Sequence, residues 1–167
     1  KKELAESPDV KGIIVNHSET STGVLNDIRP LGEITKDTDM LLIVDAISGL
    51  ILNEFEFDKW GVDCAVAASQ KGFLLPPGLI YFAISEKAKK AMESSDLPKF
   101  YFNLKRYFEF LEKGRHPQTP AINLIMATDY VCDYLLERTI EKITSHHKML
   151  REYAESELVK LGFRLFV

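Results

Sequence analysis

Short apolar runs broken by polar loops fill the first half of the chain, and long helical periodicities fill the second. Gly12-Ile13-Ile14-Val15-Asn16-His17 predicts a short buried strand, followed by a hydroxyl-rich loop from Ser18 to Gly23. From Val24 to Lys36, Leu25, Ile28, Leu31 and Ile34 recur at helical intervals, with Pro30 blurring the helix start. Met40 to Val44 predicts a second strand, Val62 to Ser69 a third and Leu79 to Ile84 a fourth, with a helix from Glu86 to about Met92. Leu50 to Trp60 mixes weak alternation (Phe55, Phe57) with acidic residues, which predicts irregular backbone or an edge strand. Phe100 to Lys113 is aromatic-rich and reads as helical near Leu104–Phe110. Thr119-Pro120 reads as a helix start, with Thr as N-cap and Pro at the first helical position. Apolar positions from Ile122 through Leu158 then keep helical spacing as far as Gly162, the expected stop. A run of that length is one bent helix or two helices with a break near Thr144.

Strands alternating with helices argue an α/β layer architecture. The link from Asp45 to Cys64 carries no clean helix, so a mixed sheet is expected as readily as a parallel one. Both ends suggest a piece of a longer protein. The polar stretch before Gly12 reads as the tail of a helix, and Phe163-Arg164-Leu165-Phe166-Val167 reads as a strand just beginning.

Composition narrows the class. The 167 residues are 46% hydrophobic and 28% charged, enough for one globular domain with a core. The formal net charge is -4 and no basic stripe is visible, which argues against a nucleic-acid partner. No apolar run approaches membrane-spanning length, and the opening residues lack the apolar stretch of a signal peptide. Cys64 and Cys132 sit in apolar contexts without metal-ligand spacing, so they read as small hydrophobes in a reducing cytoplasm.

Two residues stand out from this frame. Lys71 follows the apolar run Cys64 to Gln70 and precedes Gly72-Phe73-Leu74-Leu75-Pro76-Pro77-Gly78, a turn that cannot continue the strand. Asp45 closes the run Met40 to Val44. In parallel strands both project into the crevice at the carboxyl edge, where open α/β sheets bind ligands. Taken singly, Asp45 reads as a strand-end cap and Lys71 as a solvated lysine.

Four motifs in series change the weighting: His17-Ser18-Glu19-Thr20-Ser21-Thr22-Gly23, Val44-Asp45-Ala46-Ile47-Ser48, Ser69-Gln70-Lys71-Gly72 and Pro76-Pro77-Gly78. Together they resemble the class V aminotransferases, and among them the serine–pyruvate, alanine–glyoxylate and serine–glyoxylate group. The resemblance implies the fold type I pyridoxal-phosphate architecture, a homodimer, and transamination between a small amino acid and a 2-oxo acid. It implies that Lys71 forms the Schiff base and shuttles the proton, and that Asp45 pairs with the pyridine nitrogen. It further implies that Ile47 packs on the ring, on Asp45's strand face if the strand continues. Thr20 would bond the phenolic oxygen, and Gln70 and Ser69 would contact the phosphate. Arg115 and Gln118 or Thr119 occupy the place from which relatives reach the partner's cofactor phosphate.

On the same resemblance, residues 1–115 belong to the cofactor-binding large domain, 116–145 to an interdomain helical segment and 146–167 to the start of a small domain. The glycine-rich phosphate loop and the substrate-carboxylate arginine lie outside the chain, so the 167 residues alone are expected to be inactive. Two other readings stay open. A cysteine desulfurase or related lyase shares the fold, although such enzymes usually place histidine where Gln70 stands. A non-catalytic assembly module would keep the scaffold without needing both Asp45 and Lys71. His17 reads as a structural residue, Thr20 reads equally as a loop cap, and the aromatics of 100–110 read as packing residues.

Overall fold

The structure, a computed structural model, describes residue 7 and residues 9–166. The expected helical tail before Gly12 falls largely outside those residues, as does Val167. Four strands form one mixed sheet in the order β1 (Gly12–Asn16), β2 (Leu41–Asp45), β3 (Cys64–Ala68), β4 (Ile80–Ile84). The first three run parallel and β4 is antiparallel to β3. Helices α1 (Arg29–Thr35), α2 (Glu86–Glu93), α3 (Leu104–Leu111), α4 (Ile122–Arg138) and α5 (Ile140–Lys160) complete the fold.

Alternation along β2 sorts the two faces of the sheet. Leu42 and Val44 are fully buried and join Ile28, Ala46, Trp60, Val62 and Ala65 in the core, with Leu31, Phe55 and Phe57 packed against it. The other face carries Ile43 and Asp45 on β2, and their register partners Ile14 and Asn16 on β1. That face is poorly covered within the chain, since Ile14 is 76% exposed and Phe82 on β4 is 49% exposed.

The amino edge of the sheet is closed by a polar clamp. The buried Asp63 accepts from the Leu42 N–H (2.9 Å), from Ser85 Oγ (2.7 Å) and from Lys87 Nζ (2.8 Å). Lys87 Nζ also donates to the carbonyls of Met40 and Thr35. Ser85 is at the same time the N-cap of α2, accepting from the Ala88 N–H. One residue thus fixes the helix start and ties it to the strand edge.

Several expected boundaries move. The first helix begins at Arg29, not Val24, because residues 24–26 belong to the loop after β1: Leu25 bridges Ser18, and the Asn26 N–H donates to the His17 carbonyl at 2.8 Å. Leu50–Trp60 forms turns and one isolated bridge, the irregular alternative of the two expected. Thr119 does not cap a helix: α4 starts at Ile122 with Ala121 as a cap that makes no side-chain bond. The long helical run is two helices, and the break falls at Thr139, not Thr144. Phe163–Phe166 has no strand structure. Phe100, Tyr101 and Phe102 lie exposed rather than packed within the chain. Cys64 is partly buried, and that burial, with Asp63 nearby, pushes its thiol pKa up, consistent with an inert thiol.

Candidate functional site

The parallel register puts Asp45 at the middle of the carboxyl edge, beside Asn16 on β1 and Val66 on β3. Its carbonyl accepts from the His17 N–H at 2.8 Å, which fixes where the chain leaves β1. Its Oδ1 accepts from the Ile47 N–H at 2.9 Å, an aspartate folding the backbone back on itself. Oδ2 has no hydrogen-bond partner among the described residues. The strand ends at Asp45, and Ile47 sits in the turn that follows, so Ile47 does not share Asp45's strand face.

Thr20 joins this turn from the neighbouring loop, its hydroxyl 2.9 Å from Ser48 Oγ. The Thr20 loop is closed by Glu19. One carboxylate oxygen accepts from the Ser21 hydroxyl (2.6 Å) and N–H (2.9 Å), and the other from Asn16 Nδ2 (2.8 Å). Those bonds, the Ser21 hydroxyl first, hold the Glu19 pKa down to about 2. His17 packs beneath, 2% exposed, its ring 5.2 Å from Phe55 and 6.0 Å from Trp60. Burial pushes its pKa down, and Nδ1, facing Gly49, has no hydrogen-bond partner.

The Lys71 turn is built from Ser69. That residue is fully buried, its Oγ donates to the Pro76 carbonyl (2.7 Å) and accepts from the Leu79 N–H (3.2 Å), and its carbonyl accepts from the Leu75 N–H (3.0 Å). The hydroxyl proton is therefore committed inside the loop, and Ser69 shapes the turn rather than facing the crevice. Gln70 and Lys71 are exposed, and among the described residues Lys71 Nζ makes no hydrogen bond or ion pair. Gly72 packs so tightly on the Leu50 carbonyl and Ile51 that any side chain there would collide.

Loops after β1, β2 and β3 thus lock together at one edge and present Thr20, Asp45, Gln70 and Lys71. Arg115 and Thr119 are exposed in the segment between α3 and α4, and no hydrogen bond among the described residues joins their side chains to that group. Two grooves, about 890 and 540 Å³, are not lined by Asp45 or Lys71, although the smaller one borders Ile51, Gly72 and Leu74. Sequence reasoning missed Gly49 and Ile51, and quoted Ser48 and Gly72 within motifs without giving them a role. The signal available was the two glycines, each set where one loop must approach another.

The family model for aminotransferase class-V matches residues 2–167. The chain belongs to this family. As a class-V aminotransferase chain it is 38% identical over 170 residues to an uncharacterised aminotransferase of Methanocaldococcus jannaschii, covering 99% of this chain and 44% of that protein. It is 35% identical to a serine–glyoxylate aminotransferase of Arabidopsis thaliana, over 87% of this chain and 37% of that one. The crystal structure of an alanine–glyoxylate aminotransferase from Nostoc sp. superposes with a TM-score of 0.88 at 26% identity, covering 99% of this chain and 45% of the other. The chain therefore spans less than half the length of these relatives. The family implies pyridoxal phosphate. Among the described residues, no helix is long and apolar enough to cross a membrane.

Proposed function

We propose that the full-length protein is a pyridoxal-phosphate-dependent aminotransferase that moves an amino group between a small amino acid and a 2-oxo acid. One observation carries this reading. The parallel register sets a carboxylate with an open oxygen, Asp45 Oδ2, at the same edge as an unpaired amine, Lys71 Nζ. That donor set fits the cofactor: an acceptor for a ring N–H, an amine for an aldehyde, and hydroxyl and amide groups from Thr20 and Gln70. When bound, the cofactor supplies a cationic ring that accepts the electron pair released at the substrate's Cα.

In this reading Lys71 Nζ would hold the cofactor and, once displaced by the incoming amine, would take the proton from the substrate Cα and deliver it to the cofactor carbon that had carried the aldehyde. Asp45 Oδ2 holds the ring N–H proton, while Oδ1 stays tied to Ile47 and fixes the carboxylate's orientation. Thr20, oriented by Ser48, faces the phenolic oxygen, and Ile47 covers one ring face. Gln70 donates to the phosphate, and Ser69 holds the turn that presents it. Arg115 and Thr119 reach the partner's cofactor in a homodimer, a reading that their exposure supports. The proposed boundaries remain 1–115, 116–145 and 146–167, although α5 runs through residue 146 without a break. A cytoplasmic location goes with the two free thiols.

The test uses the full-length protein with added pyridoxal phosphate. Borohydride reduction and peptide mass spectrometry are expected to find the cofactor mass on Lys71, and Lys71→Ala is expected to abolish transamination across a panel of amino and oxo acids. Label on another lysine, or turnover that survives Lys71→Ala, would overturn the reading and favour an assembly module.

A further inference from the structure

Three non-glycine residues among those described have positive φ: Ile51 (74°), Leu74 (58°) and Thr139 (63°). Ile51 and Thr139 are the more demanding, because a β-branched side chain enters the left-handed region only where its surroundings over-determine it, and of the two Ile51 stands at the candidate site. Its surroundings are the two loops of the candidate site. Ile51 lies six residues after Asp45, its side chain is 7% exposed, and its Cβ is 2.9 Å from where a Cβ on Gly72 would stand. The Leu50 carbonyl closes on the same glycine. Gly72 is the peptide neighbour of Lys71. Ile51 and Gly72 both line the groove of about 540 Å³, whose other walls include Leu74, Leu135 of α4 and Ile143 of α5.

The Lys71 turn is therefore gripped at two places. Ser69 holds it from within the loop, through four hydrogen bonds to residues 75–79. Ile51 holds it from the Asp45 loop, at Gly72. We propose that Ile51 is a positioning residue: its strained backbone and buried side chain fix Gly72, and through it set Lys71 relative to Asp45. The Leu50 carbonyl meets the same glycine, so the Asp45 loop grips Gly72 through two adjacent residues. The inference rests on the assignment of Lys71 made above. A displaced amine loses rate steeply, since a misplacement of about 1 Å costs on the order of 100-fold.

The experiment compares full-length wild type with Ile51→Gly, Ile51→Val and Gly72→Ala. Ile51→Gly relieves the strained φ and removes the side chain, Ile51→Val keeps the branched shape, and Gly72→Ala forces the two loops apart. Two readouts are taken. Amide hydrogen exchange on apo-protein needs no cofactor, and steady-state kinetics separates kcat from KM. In Ile51→Gly and Gly72→Ala, amides of residues 70–74 are expected to exchange at least about 10-fold faster while those of β2 and β3 hold. The expected kcat falls about 10–100-fold with KM within about threefold. Ile51→Val is expected to stay within about threefold of wild type in both. Wild-type exchange at 70–74 with wild-type kcat in Ile51→Gly overturns the proposal, as does faster exchange spread evenly through the sheet. Should Ile51→Gly not fold, Gly72→Ala judges the same contact by the same two criteria. Failure of the borohydride label on wild-type Lys71 counts against the proposed function alone, because the exchange arm still judges the contact.

Discussion

Asp45 divides its two carboxylate oxygens between the chain and the crevice. Oδ1 is tied to the Ile47 N–H and sets the carboxylate's direction, while Oδ2 has no hydrogen-bond partner among the described residues. Asp45→Asn keeps the shape and removes the charge. The charge-assisted bond to a ring N–H is lost in a desolvated site. Transamination by the full-length protein is expected to fall by about 100-fold or more with cofactor still bound. Near wild-type turnover would leave Asp45 as a turn residue only. The neighbouring loop adds a pH dependence whose sign follows from Glu19 and His17. Glu19 has its pKa lowered to about 2 from 4.5, and His17 has its pKa lowered from 6.5. In both cases the unfolded chain binds protons first as pH falls. The stabilisation is full above about pH 6.5, starts to fade below it as unfolded His17 protonates, and loses the Glu19 part between about 4.5 and 2. A urea-unfolding series over pH 3–8 is expected to show a falling midpoint on the acid side, flattened in its lowest segment by Glu19→Gln. A midpoint independent of pH would remove both residues from the account.

At the scale of elements, the strands were legible because each is a compact apolar run ending at a polar residue: β1, β3 and β4 fall within the expected segments, and β2 runs one residue further, to Asp45. The break between α4 and α5 was not. Thr139 adopts φ 63° and ψ 137° without a glycine or proline to announce it, and helical spacing continues on both sides. The C-terminal stop was legible for the opposite reason. Gly162 (φ 89°) ends α5 with its N–H on the Val159 carbonyl and the Phe163 N–H on that of Leu158, a paired cap that favours glycine. Thr119-Pro120 misled because it has the composition of a helix start, yet Pro120 passes the start on: the Ile122 N–H returns to its carbonyl and the helix begins two residues later. Thr139→Gly relieves a conformation that L residues avoid but adds freedom to the unfolded chain. The net expectation is a gain of about 1 kcal/mol, read as a higher urea midpoint with unchanged slope. A lower midpoint would mean that the Thr139 side chain holds the α4–α5 corner.

On the scale of the whole molecule, the two edges of the sheet are built for different ends. At the amino edge Asp63 is saturated, with Leu42, Ser85 and Lys87 all donating to it. At the carboxyl edge Asp45 Oδ2 and Lys71 Nζ are left open. Nothing in the sequence pattern distinguished these two aspartates, since each stands beside an apolar strand. The motif around Asp45 marked one, whereas the clamp at Asp63 depends on Ser85 and Lys87, twenty-two and twenty-four residues away, meeting it in space. The asymmetry predicts opposite phenotypes. Lys87→Met leaves the Asp63 carboxylate buried without its cation, at a cost of about 1.5–3 kcal/mol. Its urea midpoint is expected to drop accordingly, while borohydride labelling at Lys71 by pyridoxal phosphate in the folded full-length protein stays at the wild-type level. Asp45→Asn is expected to do the reverse, keeping the midpoint within about 0.5 kcal/mol of wild type and losing turnover. Lys87→Met with a normal midpoint would reduce the clamp to a surface contact. Loss of Lys71 labelling in that variant at a denaturant-free, fully folded baseline would mean that the two edges are coupled through the strands, and that the sheet does not separate stability from chemistry.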